Sequence, residues 1–171
     1  MQNKPTQNKM IKDGQVIDNT WELIGSTDTD PNSTETIEIP TSNVLVPLAL
    51  WQAQTELQGR DNVGIWLDND CNLNDVAEKI TSLPVIAIHF PVFMDGRGFS
   101  LARLLRERYG YKGEIRAIGH IIRDQLCYLK RCGFNAFTFN DEDLDINAAV
   151  ESLKDFSEAY QTSVDMPEPL F

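Results

Sequence analysis

Two short stretches gather residue types that can bind or move charge. In the first, Asp95-Gly96-Arg97-Gly98 stands just before Ser100 and a helical pattern. Glycines let a backbone approach a ligand closely, and the free N–H groups of a helix start attract anions. Arg97 would add a bidentate contact to a phosphate, a sulfur oxyanion or a carboxylate. The competing reading is a tight loop in which Asp95 and Arg97 satisfy each other. The stretch lacks the spacing of the dinucleotide fingerprint, and no Walker-type motif occurs in the chain. The second stretch is Gly119-His120-Ile121-Ile122-Arg123-Asp124-Gln125. His120, Arg123 and Asp124 could meet near one edge, where an imidazole beside a carboxylate suits acid–base work. Capping and ion pairing in a first helical turn is the competing reading. Together these stretches predict an anion site of Asp95, Gly96, Arg97, Gly98, Ser100, Arg123 and Asp124.

Other reactive side chains read as structural. His89 lies inside an apolar run and reads as a satisfied core histidine. Cys127 and Cys132 are about 140° apart around a helix and share no face. With Cys71, two histidines and no Cys-x-x-Cys pair, no metal site is expected.

The elements that must hold these stretches alternate. A buried strand over 85–90 leads to the Asp95 turn and a helix over 100–109. A strand over 114–118 leads to a helix over 121–132, and Gly133 suits the residue after that helix. A strand follows at 136–139. Upstream, an extended piece over 43–46 precedes Pro47 and a helix to 57. A strand over 63–67 precedes a helix over 74–81, with Asn74 as its expected cap. A strand pair around Asp13-Gly14 opens the body, anchored by Trp21 and Leu23. A last helix is expected over 145–160. The expectation is one α/β domain over 10–171, after a disordered tail over 1–9 and with a mobile acidic loop over 26–36. About four parallel strands alternate with helices, as an open doubly wound sheet or half of a (β/α) barrel. A half barrel would tend to form a homodimer through its open edges.

Charge narrows the partners. The 171 residues carry a net charge of −11, which disfavours nucleic acid. No apolar run reaches membrane length, and the polar start lacks a signal peptide's apolar centre, so a cytoplasmic location is expected. Between Asp95 and Gly133 nine basic residues face four acids, and seven of the eight arginines lie there. Solvated helix faces explain such a concentration; so does convergence on an anion or an acidic partner.

The chain also resembles a known family. The resemblance rests on Phe90-Pro91, the Asp95–Gly98 turn and Ala102-Arg103-Leu104-Leu105-Arg106. Gly119, Arg123-Asp124-Gln125-Leu126 and Arg131-Cys132-Gly133-Phe134 extend it. So do Val46-Pro47-Leu48, Trp51, Asp155-Phe156-Ser157-Glu158 and Tyr160-Gln161. The family is bacterial, of unknown function, and commonly labelled, without an established reaction, as an oxidoreductase involved in sulfite reduction. It supplies no catalytic residue and no cofactor to carry over. His120 stands where the family has an acidic residue, and the end at Leu170-Phe171 lacks the family's short basic tail. The resemblance implies an accessory protein or oxidoreductase of assimilatory sulfite reduction whose anion-binding loop lies at the strand carboxyl ends. The alternative is a non-catalytic module that docks on sulfite reductase or its electron donor through Arg103 and Arg106.

Overall fold

The computed structural model describes residues 9–25, 38–91, 96–140 and 144–154. Eight strands form one sheet: β1 (Lys9–Lys12), β2 (Gln15–Asp18), β3 (Glu22–Leu23), β4 (Val44–Pro47), β5 (Val63–Asp68), β6 (Val85–Phe90), β7 (Glu114–Gly119) and β8 (Ala136–Phe137). Five helices accompany them: α1 (Leu48–Ala53), α2 (Ala77–Ile80), α3 (Arg97–Glu107), α4 (Leu126–Cys132) and α5 (Ile146–Ser152). The strand order is β2-β1-β8-β7-β6-β5-β4-β3. From β3 to β8 all neighbours are parallel and follow chain order. The β1–β2 hairpin closes on β8 in antiparallel fashion.

The expectation of about four strands is therefore corrected to eight. The extended piece at 43–46 is a full parallel strand. Its neighbour β3 is too short to carry a period-two signal. Strand order also decides between the two arrangements. A doubly wound sheet needs a point where the order reverses, and here it never does. Crossovers of one hand that step in one direction put every helix on one face. The sheet is accordingly an open, curled half barrel.

Its two faces differ. On the outer face Val44, Val46, Ile65, Leu67, Ile86, Ile88, Phe90, Ile115, Ala117 and Phe137 pack with α1 to α5 in one large core. Alternate residues point inward: Leu45, Trp66, Val85, Ala87 and Ile118 form a second, smaller cluster under Trp21. His89, Glu114 and Arg116 are buried as well, in the same inward register.

Local chemistry explains the ends of elements. Asp13 (φ 50°) and Gly14 (φ 78°) both take positive φ, as a two-residue hairpin turn requires. Asn72, rather than Asn74, starts the turn before α2, and its side chain accepts from the Asn74 N–H. The Asp145 side chain accepts from the N–H groups of Asn147 and Ala148 to cap α5. Gly133 ends α4 at φ 118°, as expected. Leu23, expected to anchor the start of the body, is exposed. Trp21 packs on the inner cluster as expected, and the Trp66 indole N–H ties the same segment by donating to Ile24 O at 3.1 Å. Lys9 already belongs to β1 and pairs with Asp18. The rest of the tail, the 26–36 loop and the last helix beyond Lys154 lie outside the described residues.

Candidate functional site

The carboxyl ends of β4 to β8 form one rim, which is where parallel sheets of this kind place ligands. Strands β6 and β7 pair along six residues and end level, Phe90 opposite Gly119. The segments leaving them therefore start side by side. The His120 N–H donates to Phe90 O at 2.8 Å and ties the two exits together. Farther out, the rings of Phe99 on α3 and Tyr128 on α4 meet edge to face with centroids 4.9 Å apart.

The helix after β6 begins at Arg97, three residues earlier than expected. Gly96 is its N-cap, so the Gly96–Gly98 stretch is a first helical turn. Among the described residues no side chain caps this end, and its first turn holds no acid. Gly98 serves packing. A Cβ there would stand 2.6 Å from two carbons of the Phe90 ring and 3.2 Å from Ile88 Cγ2. The absent side chain lets α3 lie close on β6. Arg97 and Ser100 are exposed at this end. Asp95 lies outside the described residues.

After β7 the expected helix over 121–132 starts late: the Ile121 N–H turns back to Gly119 O, Ile122 is extended, and Arg123–Gln125 form a 3-10 turn before α4. Arg123 and Asp124 are exposed, and the Arg123 Nε donates to Ser152 Oγ on α5. His120 is also exposed. Arg97 and Arg123 thus leave adjacent strand ends on one rim.

The two docking arginines part company. Arg103 is exposed and pairs with Glu107 one turn away. Arg106 turns inward. Its Nε donates to Gly133 O at 3.0 Å, and its Nη1 donates to Tyr111 O and Gly113 O at 2.8 and 2.7 Å. Its Nη2 reaches Asn135 Oδ1 at 3.4 Å. Burial pushes its pKa down, and the Tyr111 ring lies beside the guanidinium. It clamps the end of α4 to the loop before β7. A stripe of helical spacing cannot reveal this, because the partners are backbone carbonyls distant in sequence.

The inner face adds groups that the sequence reading assigned to the core. His89 Nδ1 lies 3.2 Å from Asp68 Oδ1, at the paired ends of β6 and β5. Trp66 stands edge-on to the imidazole. Gly119, at φ 96°, passes beside the ring: a Cβ there would come within 2.8 Å of His89 Cδ2. Below, Arg116 is only 2% exposed. Its Nε and Nη2 both donate to Glu114 Oε1 at 2.9 Å, and its Nη1 donates to Asn19 Oδ1 at 3.0 Å. Lys12 approaches the other Glu114 oxygen at 3.5 Å. Desolvation lowers the Arg116 pKa, and Glu114 opposes that shift. A cavity of about 110 Å³ opens above Arg116, with His89, Trp21, Ile118 and Thr138 among its walls. The signal for the pair was faint: one histidine and one aspartate, each near the end of a buried strand.

A second rim cavity, of about 370 Å³, lies beyond β5 against Trp66, Asp68 and Cys71. Burial, then Asp70 and Asp68, push the Cys71 thiol up to about 11, so it stays protonated at neutral pH. No disulfide joins the three cysteines. Among the described residues there is no cluster suited to hold a metal, and no helix is long and apolar enough to cross a membrane.

A family of bacterial proteins of unknown function, DUF934, matches residues 64–171. The chain belongs to this family. The DUF934 match starts within β5 and takes in the whole rim from β5 to β8. It leaves out the hairpin, β3 and β4, so the Val46–Leu48 and Trp51 part of the resemblance falls outside it. No curated protein and no solved structure matches the chain.

Proposed function

We propose that the protein binds a small oxyanion, sulfite foremost, where β6 and β7 end. It would serve assimilatory sulfite reduction as an accessory protein or oxidoreductase. The observation that carries the site is the level pairing of Phe90 with Gly119. It starts the α3 turn and the Arg123 turn at one edge. Among the described residues the start of α3 has no side-chain cap and no acid in its first turn, and its N–H groups supply partial positive charge there. Arg97 and Arg123 add full charges, and Ser100 a hydroxyl. The choice of sulfite rests on the family resemblance. Thermal unfolding at fixed ionic strength tests the reading. Sulfite at about a hundredfold excess over Kd should stabilise the wild type by about 2.7 kcal/mol. Joint replacement Arg97→Ala, Arg123→Ala should remove that gain. A wild type indifferent to millimolar sulfite and sulfate would overturn the anion site.

The second reading is docking on sulfite reductase or its electron donor. Exposed Arg103 and half-exposed Tyr128, at 53%, favour it. Arg106 no longer contributes to it as a surface charge. In that case no anion shift appears, and Arg103→Glu abolishes salt-sensitive co-purification with the reductase. Co-purification unaffected by that change would remove this reading.

A further inference from the structure

The inner face holds a titratable group that neither reading above uses. His89 is 7% exposed, yet among the described residues only one of its nitrogens has a hydrogen-bond partner. Nδ1 faces the Asp68 carboxylate. Nε2 lies on the far side of the ring, and His89 lines the cavity of about 110 Å³. With the proton on Nδ1, toward the carboxylate, Nε2 would carry the lone pair. That is the arrangement by which a carboxylate orients an imidazole base.

We propose that Asp68 and His89 form an acid–base site for a small, uncharged ligand held in this cavity. The charge of the ligand follows from Arg116. Its guanidinium is already matched by Glu114 and Asn19, so among the described residues the cavity offers no spare cation for an anion. Trp21, Leu45 and Ile118 give apolar walls, and Thr138 and Asn140 offer polar atoms near the mouth. A ligand O–H or activated C–H would break there. Its proton goes to Nε2, and the electron pair stays on the ligand. Asp68 then faces the imidazolium and stabilises it. Return of the proton to a second atom of the same ligand completes an isomerisation and needs no co-reactant. The site does not depend on the anion reading, because neither Arg97 nor Arg123 lines this cavity.

Diethyl pyrocarbonate, which acylates an imidazole nitrogen bearing a lone pair, tests the proposal on the full chain. The chain has two histidines, so peptide mass spectrometry reads each separately. Near neutral pH, His89 should be acylated within about tenfold of the rate of exposed His120, despite its burial. Asp68→Asn should slow His89 at least ~10-fold and leave His120 unchanged, because an amide favours the other tautomer. Thr138→Trp, at the cavity mouth, should also protect His89, which keeps the test decisive if the Asp68 variant does not fold. An unreactive His89 in the folded wild type would overturn the proposal. So would equal rates in a folded Asp68→Asn protein, or no protection in Thr138→Trp.

Discussion

The two faces of one sheet are built on different physics. Outward, β4 to β8 present aliphatic and aromatic side chains that α1 to α5 cover. Stability there comes from apolar burial and close packing. Inward, the same strands alternate apolar residues with His89, Glu114 and Arg116. Stability there depends on each charge or dipole meeting its partner. The outer face can absorb a methyl group lost or gained at a moderate cost. The inner face cannot lose one member of a pair so cheaply. These costly groups share one face but not one end: His89 lies near the carboxyl end of β6, and Glu114 and Arg116 lie toward the amino end of β7.

The largest effect should come from breaking the inner pair. Glu114→Gln keeps the shape but leaves the buried Arg116 charge uncompensated, at a cost of about 3–5 kcal/mol. Denaturant unfolding measures it. The double variant Glu114→Gln, Arg116→Met should recover most of that loss. If the single variant unfolds like wild type, the inner face is not held by charge pairing and the contrast fails.

A smaller effect belongs to the outer face. Gly98→Ala places a methyl group against the Phe90 ring and should cost ~1–3 kcal/mol by overpacking. Its affinity for sulfite should change only as far as α3 is displaced. Loss of sulfite binding at unchanged stability would return Gly98 to the ligand and blur the two roles assigned to this turn.

Much of the frame was readable in the residues. Asp13-Gly14 specified its hairpin, Gly133 its helix end, and the 85–90 run its central strand. Each is a local signal with a local cause. Strand order was not readable, because similar short connections serve an open sheet and a half barrel alike. Arg106 was assigned to the surface because helical spacing tells which residues share a stripe. It does not tell which long side chain bends back to a carbonyl 27 residues away. The packing of Gly98 against the Phe90 ring is not legible either, because it is set by how α3 lies on β6. His89 reads as a core histidine and is indeed buried, but the face it joins is hidden for a related reason. A strand buried on both faces loses the alternation that separates them. The half barrel makes those two faces unequal, and only the sheet's curl and register reveal which one His89 joins.

The most direct measurement is nitrogen-resolved NMR of the His89 ring in the intact protein. In the wild type the proton should sit on Nδ1, toward Asp68, with the lone pair on Nε2, and it should move to Nε2 in Asp68→Asn. A ring protonated on Nε2 in the wild type would contradict it, and the inner face would then be a polar core without a base.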